Sequence, residues 1–304
     1  MALQRRDFLK AVGLAGAAIA AGGAGRPRAA RAQDRPGEAD AQVAVLNVSS
    51  QEGIIPGDSL KEKVDRMAEW GFQGLEPGGG GLPGRIDEIK AAVDGTPVKI
   101  SAICGGYSGV PISQVEDERS RFKETFKELL TAAAAVGSTG VIVVPAFNNQ
   151  TELSNREARP ILIDVLKEVG EHAVSVGCRA LLEPLNRGEA FFLRQLADAA
   201  AICRDVDSPG ICMMGDFYHM NIEETSDRGA FISAGKYLHH VHLASRRRVM
   251  PGQDERSFVE GFRGLKDIGY QDFCSLECGC DGDRMVEIPK AVKFLRQQWE
   301  EARP

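Results

Sequence analysis
Histidine is scarce in this chain of 304 residues: there are five, and none precedes His172. A site that draws imidazoles from the first half is therefore excluded. Basic charge is not in excess either. The formal net charge is −6, which argues against a nucleic-acid partner, since that wants a basic face. Residues 1–32 hold six basic groups (Arg5, Arg6, Lys10, Arg26, Arg28, Arg31) against Asp7 alone, so the remainder is more acidic still. The seven cysteines (104, 178, 203, 212, 274, 278, 280) are odd in number and show neither disulfide-framework nor zinc-knuckle spacing. Cys278 and Cys280, one glycine apart, read as small buried hydrophobes rather than a redox or metal pair. No G-x-G-x-x-G follows the first strand candidate. The glycine run Gly78–Gly81 lacks the lysine and spacing of a P-loop, so it reads as a flexible active-site loop. The apolar run from Ala11 to Gly25 is too short and small-sided to span a bilayer stably.

That run does belong to a recognisable segment. Arg5-Arg6-Asp7-Phe8-Leu9-Lys10 resembles the twin-arginine export motif, with Gln4 where Ser or Thr is commoner. Ala30-Arg31-Ala32 offers an A-x-A cleavage site. Residues 1–32 are therefore expected to be an export signal that sends the protein to the periplasm. Residues 33–40 read as a loose polar lead-in.

From residue 41 onward, short apolar runs alternate with amphipathic ones. Strand candidates are 41–48, 74–77, 98–104, 140–145, 180–184, 211–216, 237–242 and 273–277. Helical periodicity fills 60–70, 86–93, 118–136, 156–176, 189–205, 221–234, 257–268 and 284–300. Eight strand–helix alternations with no internal linker predict a single (β/α)8 barrel over residues 41–304. An open doubly wound sheet is the rival, and the missing glycine fingerprint counts against it.

The strands of the second half end in a common way. Ala180–Pro184 is apolar, then acidic at Glu183, then stopped by a proline with no N–H for the ladder. Ile211–Asp216 ends in Asp216, Tyr237–His242 in His242, and Phe273–Glu277 in Glu277. A carboxylate at such a spot is costly to keep charged unless a cation faces it. In a barrel these four ends converge on one face, where three carboxylates and an imidazole suit one divalent ion. Mn²⁺ is expected first, with Mg²⁺, Co²⁺ and Zn²⁺ as alternatives. Asp216 has a rival use as a helix N-cap. His242 is chosen as nearest the strand end; His240 lies on the same side of the strand and is the fallback. Such an ion stabilises an enediolate, while Glu183 and Glu277 form an acid/base pair across the substrate carbon.

The runs LEPLNRGE, GDFYHMNIEE, HVHLASRRRVMPG and SLE resemble the xylose isomerase-like barrel superfamily, nearest its ketose 3-epimerases and hydroxypyruvate isomerases. That resemblance implies Glu183, Asp216, His242 and Glu277 as metal ligands and Glu183 and Glu277 as catalytic residues. It implies Glu189, His219 and Arg248 as contacts to substrate oxygens. It also implies that the early strand ends, here Glu76 and Cys104, set substrate choice, and that the barrel pairs into a homo-oligomer. The expected activity is epimerisation or isomerisation of a sugar or small hydroxy-carbonyl compound. Two alternatives use the same residues: a lyase or dehydratase on a keto-sugar or keto-inositol, and a non-catalytic exported sugar-binding barrel. A DNA-repair endonuclease of the same superfamily is excluded by the acidity and the missing early histidines.

Overall fold
The computed structural model describes residues 43–303; the expected export signal and lead-in lie outside them. Nine parallel strands are ordered β3-β2-β1-β9-β8-β7-β6-β5-β4 in one sheet. They are β1 (Asn47–Gln51), β2 (Gly74–Glu76), β3 (Lys99–Ile100), β4 (Ala102–Cys104), β5 (Gly140–Val143), β6 (Ala180–Leu182), β7 (Ile211–Asp216), β8 (Leu238–Leu243) and β9 (Phe273–Leu276). The two edge strands, β3 and β4, are halves of one run parted at Ser101. The Ser101 N–H donates to the Leu75 carbonyl at 2.8 Å, and its carbonyl accepts from Thr139 N–H at 2.8 Å. That residue therefore joins both ends of the sheet, and the ring of eight closes as a barrel.

The helices on the outside are α1 (Leu60–Glu69), α2 (Ile86–Val93), α3 (Glu116–Ala135), α4 (Asn155–Val176), α5 (Leu196–Val206), α6 (Phe217–Glu223), α7 (Asp227–Ala234), α8 (Val259–Asp267) and α9 (Arg284–Glu301). Local chemistry starts several of them. The Ser59 hydroxyl accepts the Glu62 N–H at the head of α1, and Ser154 with Glu157 forms a capping box on α4. Their apolar faces meet the outer face of the barrel in one continuous core. Each fully buried Leu, Ile or Phe there contributes about 1.5–3 kcal/mol. His172, on α4, bridges to α3 through Thr131 Oγ1 at 2.9 Å and serves packing.

Strand alternation sorts residues between this core and the barrel lumen. Ala102, Ile142, Leu181, Cys212 and Met214 form a separate small cluster inside the barrel. Counting in twos from Leu181 and Met214 reaches Glu183 and Asp216, so both project into the lumen above an apolar floor.

Most element boundaries shift by a residue or two from the sequence expectation, and three elements differ more. The first strand runs Asn47–Gln51 rather than 41–48, because its lumen positions carry small polar groups. Ser49 is fully buried, with its hydroxyl 2.7 Å from that of Ser101, so the strand lacks the apolar signature sought. The helix expected from residue 189 starts at Leu196, since residues 186–195 turn over the barrel mouth. The span 221–234 is two helices, α6 and α7, with Ser226 capping the second. The glycine run 78–81 is not a loose flap. A Cβ on Gly79 would stand 2.0 Å from the Gly105 carbonyl oxygen, and one on Gly106 would stand 2.2 Å from Gly79 C. These glycines let two neighbouring loops touch backbone to backbone.

Candidate metal centre and active site
The ends of β6 to β9 place Glu183, Asp216, His242 and Glu277 side by side at the mouth. One ligand atom from each lies within 4.8 Å of all the others. His242 Nδ1 is 3.5 Å from Glu183 Oε1 and 3.4 Å from Glu277 Oε2. A single ion with bonds of about 2.0–2.2 Å sits naturally among atoms so spaced. His240, the fallback, is one step deeper and belongs elsewhere.

Unpartnered atoms point to what fills the centre. Among the buried polar atoms without a hydrogen-bond partner are Asp216 Oδ2 and His242 Nδ1, both facing the cluster. Leaving such groups unsatisfied is costly. Asp216 serves two purposes at once: its Oδ1 accepts the Tyr218 N–H at 2.7 Å and caps α6, while Oδ2 is left for the centre. The N-cap reading holds, and it leaves the second oxygen free, so it does not compete with the ligand reading.

The histidine tautomers follow from their partners. His242 Nε2–H donates to Glu76, 3.0 Å from Oε1, so Nδ1 keeps its lone pair for a cation. His240 Nε2 approaches the other oxygen of Glu76 at 2.8 Å. Glu76, fully buried, is the carboxylate that orients the His242 imidazole from behind, as carboxylates commonly do for imidazoles at metal sites. The Gln51 Nε2 amide adds donations to Glu76 at 3.1 Å and Glu277 at 3.0 Å, tying the two carboxylates together. His219 differs. Its Nδ1 accepts both the backbone N–H and the side-chain amide of Asn186, at 3.1 and 2.8 Å. Its Nε2 therefore carries the proton, and this buried N–H, 3.4 Å from Asp216 Oδ2 and without a partner, is a free donor. Burial, then the charge of Arg248, pushes the His219 pKa down to about 3, so the ring is neutral.

Arg248 donates to Glu277 Oε2 at 2.8 Å and reaches Glu189 Oε1 at 3.5 Å. Its backbone takes φ of +56°, a costly conformation for a long side chain. The Gly279 N–H holds that turn through the Arg248 carbonyl at 2.8 Å. The guanidinium packs over the Tyr218 ring at 4.8 Å. Tyr218, a bulky residue in that loop, is thus a platform for Arg248.

The four expected ligands also have telling proton affinities. Burial raises Glu183 and raises Asp216 well above the ordinary carboxylate range, each outweighing the pull of His242. Burial also works against Glu277, but His242 and Arg248 overcome it and hold the carboxyl at about 2. His242 is raised well above its usual value because Glu76 and Glu277 outweigh its burial. With no cation among them, Glu183, Asp216 and His242 retain protons in its place while Glu277 stays ionised, as expected of a site built for positive charge.

All seven expected residues gather at the mouth. Glu183, Glu189, His219, Arg248 and Glu277 line a cavity of about 510 Å³, with Asp216 and His242 beneath. Sequence reasoning missed Gln51, Asn186 and the role of Glu76. Glu76 does not set the cavity's shape, unlike Cys104, which lines it. A signal for Glu76 was present: Leu75-Glu76-Pro77 repeats the Leu182-Glu183-Pro184 pattern. Cys278 and Cys280 are only half-buried, the former with Sγ 3.6 Å from Met250 Sδ.

Residues 64–298 match the family described as xylose isomerase-like TIM barrel. The chain is 31% identical over 240 residues to a 3-dehydro-D-guloside 4-epimerase of Escherichia coli (strain K12), covering 76% of this chain and 92% of that one. It is 28% identical to a D-psicose 3-epimerase of Ruminiclostridium cellulolyticum over 227 residues, 71% and 77% of the two chains. The crystal structure of a 3-keto-D-glucoside 4-epimerase from E. coli superposes with a TM-score of 0.78 at 29% identity, covering 83% of this chain and all of that one.

Proposed function
The chain belongs to the xylose isomerase-like TIM-barrel family and is an isomerase, and we propose that it is a divalent-metal-dependent sugar epimerase. It moves a proton at the carbon beside a carbonyl, with Glu183 and Glu277 as the acid/base pair. The observation that carries this reading is the convergence of four ligand side chains with buried, unpartnered Asp216 Oδ2 and His242 Nδ1. Glu183, Asp216, His242 and Glu277 would hold the ion, Mn²⁺ by the hardness of three carboxylates and one imidazole. When bound, such an ion draws charge from two neighbouring substrate oxygens and acidifies the adjacent C–H.

The protein's own groups do the rest. Arg248 keeps Glu277 ionised and ready to take a proton. Glu183 delivers one to the opposite face, and the roles exchange in the reverse direction. His219 Nε2–H and the Arg248 guanidinium hydrogen-bond the oxygens that gain charge in the enediolate. Glu189 steadies Arg248 and accepts from a substrate hydroxyl. Gln51 and Glu76 hold Glu277 and His242 in place.

The substrate we favour is a keto-glycoside epimerised next to its ketone. The names of the 31% identical relative and of the superposed enzyme support this over a free ketose. In D₂O, a 3-keto-glycoside should gain solvent deuterium at the inverted carbon with no loss of water. Glu277→Gln should lower that turnover by about 10²–10⁴-fold. Loss of water from the substrate would instead favour the lyase or dehydratase; no turnover on keto-glycosides or ketoses would favour a binding protein. The twin-arginine-like run at Arg5-Arg6 supports export to the periplasm, and an Arg5→Lys, Arg6→Lys variant should then stay in the cytoplasm.

A further inference from the structure
The cavity extends beyond the candidate metal cluster to residues of other loops. Its volume of about 510 Å³ falls within the range of roughly 300–1,000 Å³ usual for small-molecule sites. The metal cluster with Glu189, His219 and Arg248 forms one wall. The lining also includes Val110 and Pro111 from the loop after β4, Glu118 of α3, and Phe147 and Gln150 from the loop after β5. Phe147 is 44% exposed, so its ring is accessible to a ligand in the cavity.

This ring is not on a loose loop. The Phe147 N–H donates to Gln150 Oε1 at 2.9 Å. The next residue, Asn148, donates its backbone N–H to the Glu189 carbonyl at 2.7 Å and its amide to the carbonyls of Arg187 and Gly188. Asn149 adopts a left-handed φ of +69° to complete the turn. The aromatic is thus tied to the segment that carries Glu189. The bond to Phe147 also fixes the Gln150 carboxamide, whose NH₂ has no partner among the described residues and can donate into the cavity.

We propose that Phe147 and Gln150 form a second subsite, which takes the aglycone sugar ring of a keto-disaccharide. The apolar face of a pyranose stacks on Phe147, and a ring hydroxyl accepts from Gln150. The subsite makes the enzyme a disaccharide epimerase by preference. This rests on the keto-glycoside reading above, and two kinds of failure separate them. The probes are methyl 3-keto-β-D-glucoside and 3-keto-cellobiose, followed by solvent-deuterium incorporation. The wild type should prefer the disaccharide in kcat/KM. Phe147→Ala should reduce the ratio of the two values by roughly tenfold, given what an aromatic contact is worth, with the loss in KM. Phe147→Trp should keep the ratio, and Gln150→Ala should lower it a few-fold. Thermal melts confirm that each variant folds. Equal kcat/KM for the two probes in the wild type, or an unchanged ratio in Phe147→Ala, overturns the subsite and leaves the epimerase reading intact. Turnover of neither probe overturns both.

Discussion
Glu76 never touches the proposed ion, yet His242 depends on it. Its carboxylate fixes which imidazole nitrogen bears the proton, and so which one faces the centre. Glu76→Gln retains the shape and removes the charge, so Mn²⁺ affinity should fall by about 10–100-fold while the fold persists. Titration of the metal-free variant checks this; unchanged affinity would deny Glu76 its role. A second consequence concerns pH. In the metal-free protein burial raises Asp216 and Glu183, and the surrounding carboxylates raise His242 over the effect of its burial. These groups hold protons that an ion must expel. Mn²⁺ affinity should therefore rise with pH, by about tenfold per pH unit for each proton released, and level off once none remains. Affinities measured between about pH 5 and pH 8 in weakly coordinating buffer give the slope; a flat profile would contradict the proton inventory. Most of this scale was legible in the sequence. Asp216 and Glu277 close apolar strands, and Pro184 marks Glu183. Gln51 was hidden because its strand is built of Asn, Val and Ser, with no apolar alternation to place it. Asn186 was hidden because its role is a tautomer, which no residue pattern encodes.

Among the elements, strands β6 to β9 bring the ligands and the preceding loops complete the cavity. Sequence periodicity located the strands of the second half within two residues, since their outer faces are largely apolar, with His239 on β8 the polar exception. It failed where the chain serves the mouth. The stretch 189–195 reads as helical, but the Asn186 side chain just before it bonds His219 and Glu189, and the helix starts only at Leu196. The meeting of the 78–81 and 105–106 loops was equally invisible, because it joins two glycines distant in sequence. It has a measurable strength. Gly106 has φ of +98° and no room for a methyl group. Gly106→Ala should destabilise by about 1–3 kcal/mol, enough to lower the melting temperature by several degrees, and should raise KM because Gly105 and Gly106 line the cavity. A variant that melts with the wild type would show the contact to be slack.

At the scale of the molecule, closure is what turns scattered residues into a site. Glu76 on β2 and His242 on β8 are 166 positions apart and separated by two strands in the sheet, yet they meet across the lumen. Eight alternations of strand and helix were readable from length and pattern. The join at Ser101, which makes them a ring, was not, because it is one residue's pair of backbone bonds. The ring also sets the geometry: an apolar floor below, four candidate ligands above, and the cavity over them. The central claim is that those four side chains share one divalent cation. Metal content of the purified protein, dialysed and reloaded with Mn²⁺, tests it most directly. One ion per chain in the wild type, and none retained in Asp216→Asn, is the predicted result. Failure to retain a stoichiometric ion, or an Asp216→Asn variant that binds as well as the wild type, would contradict it.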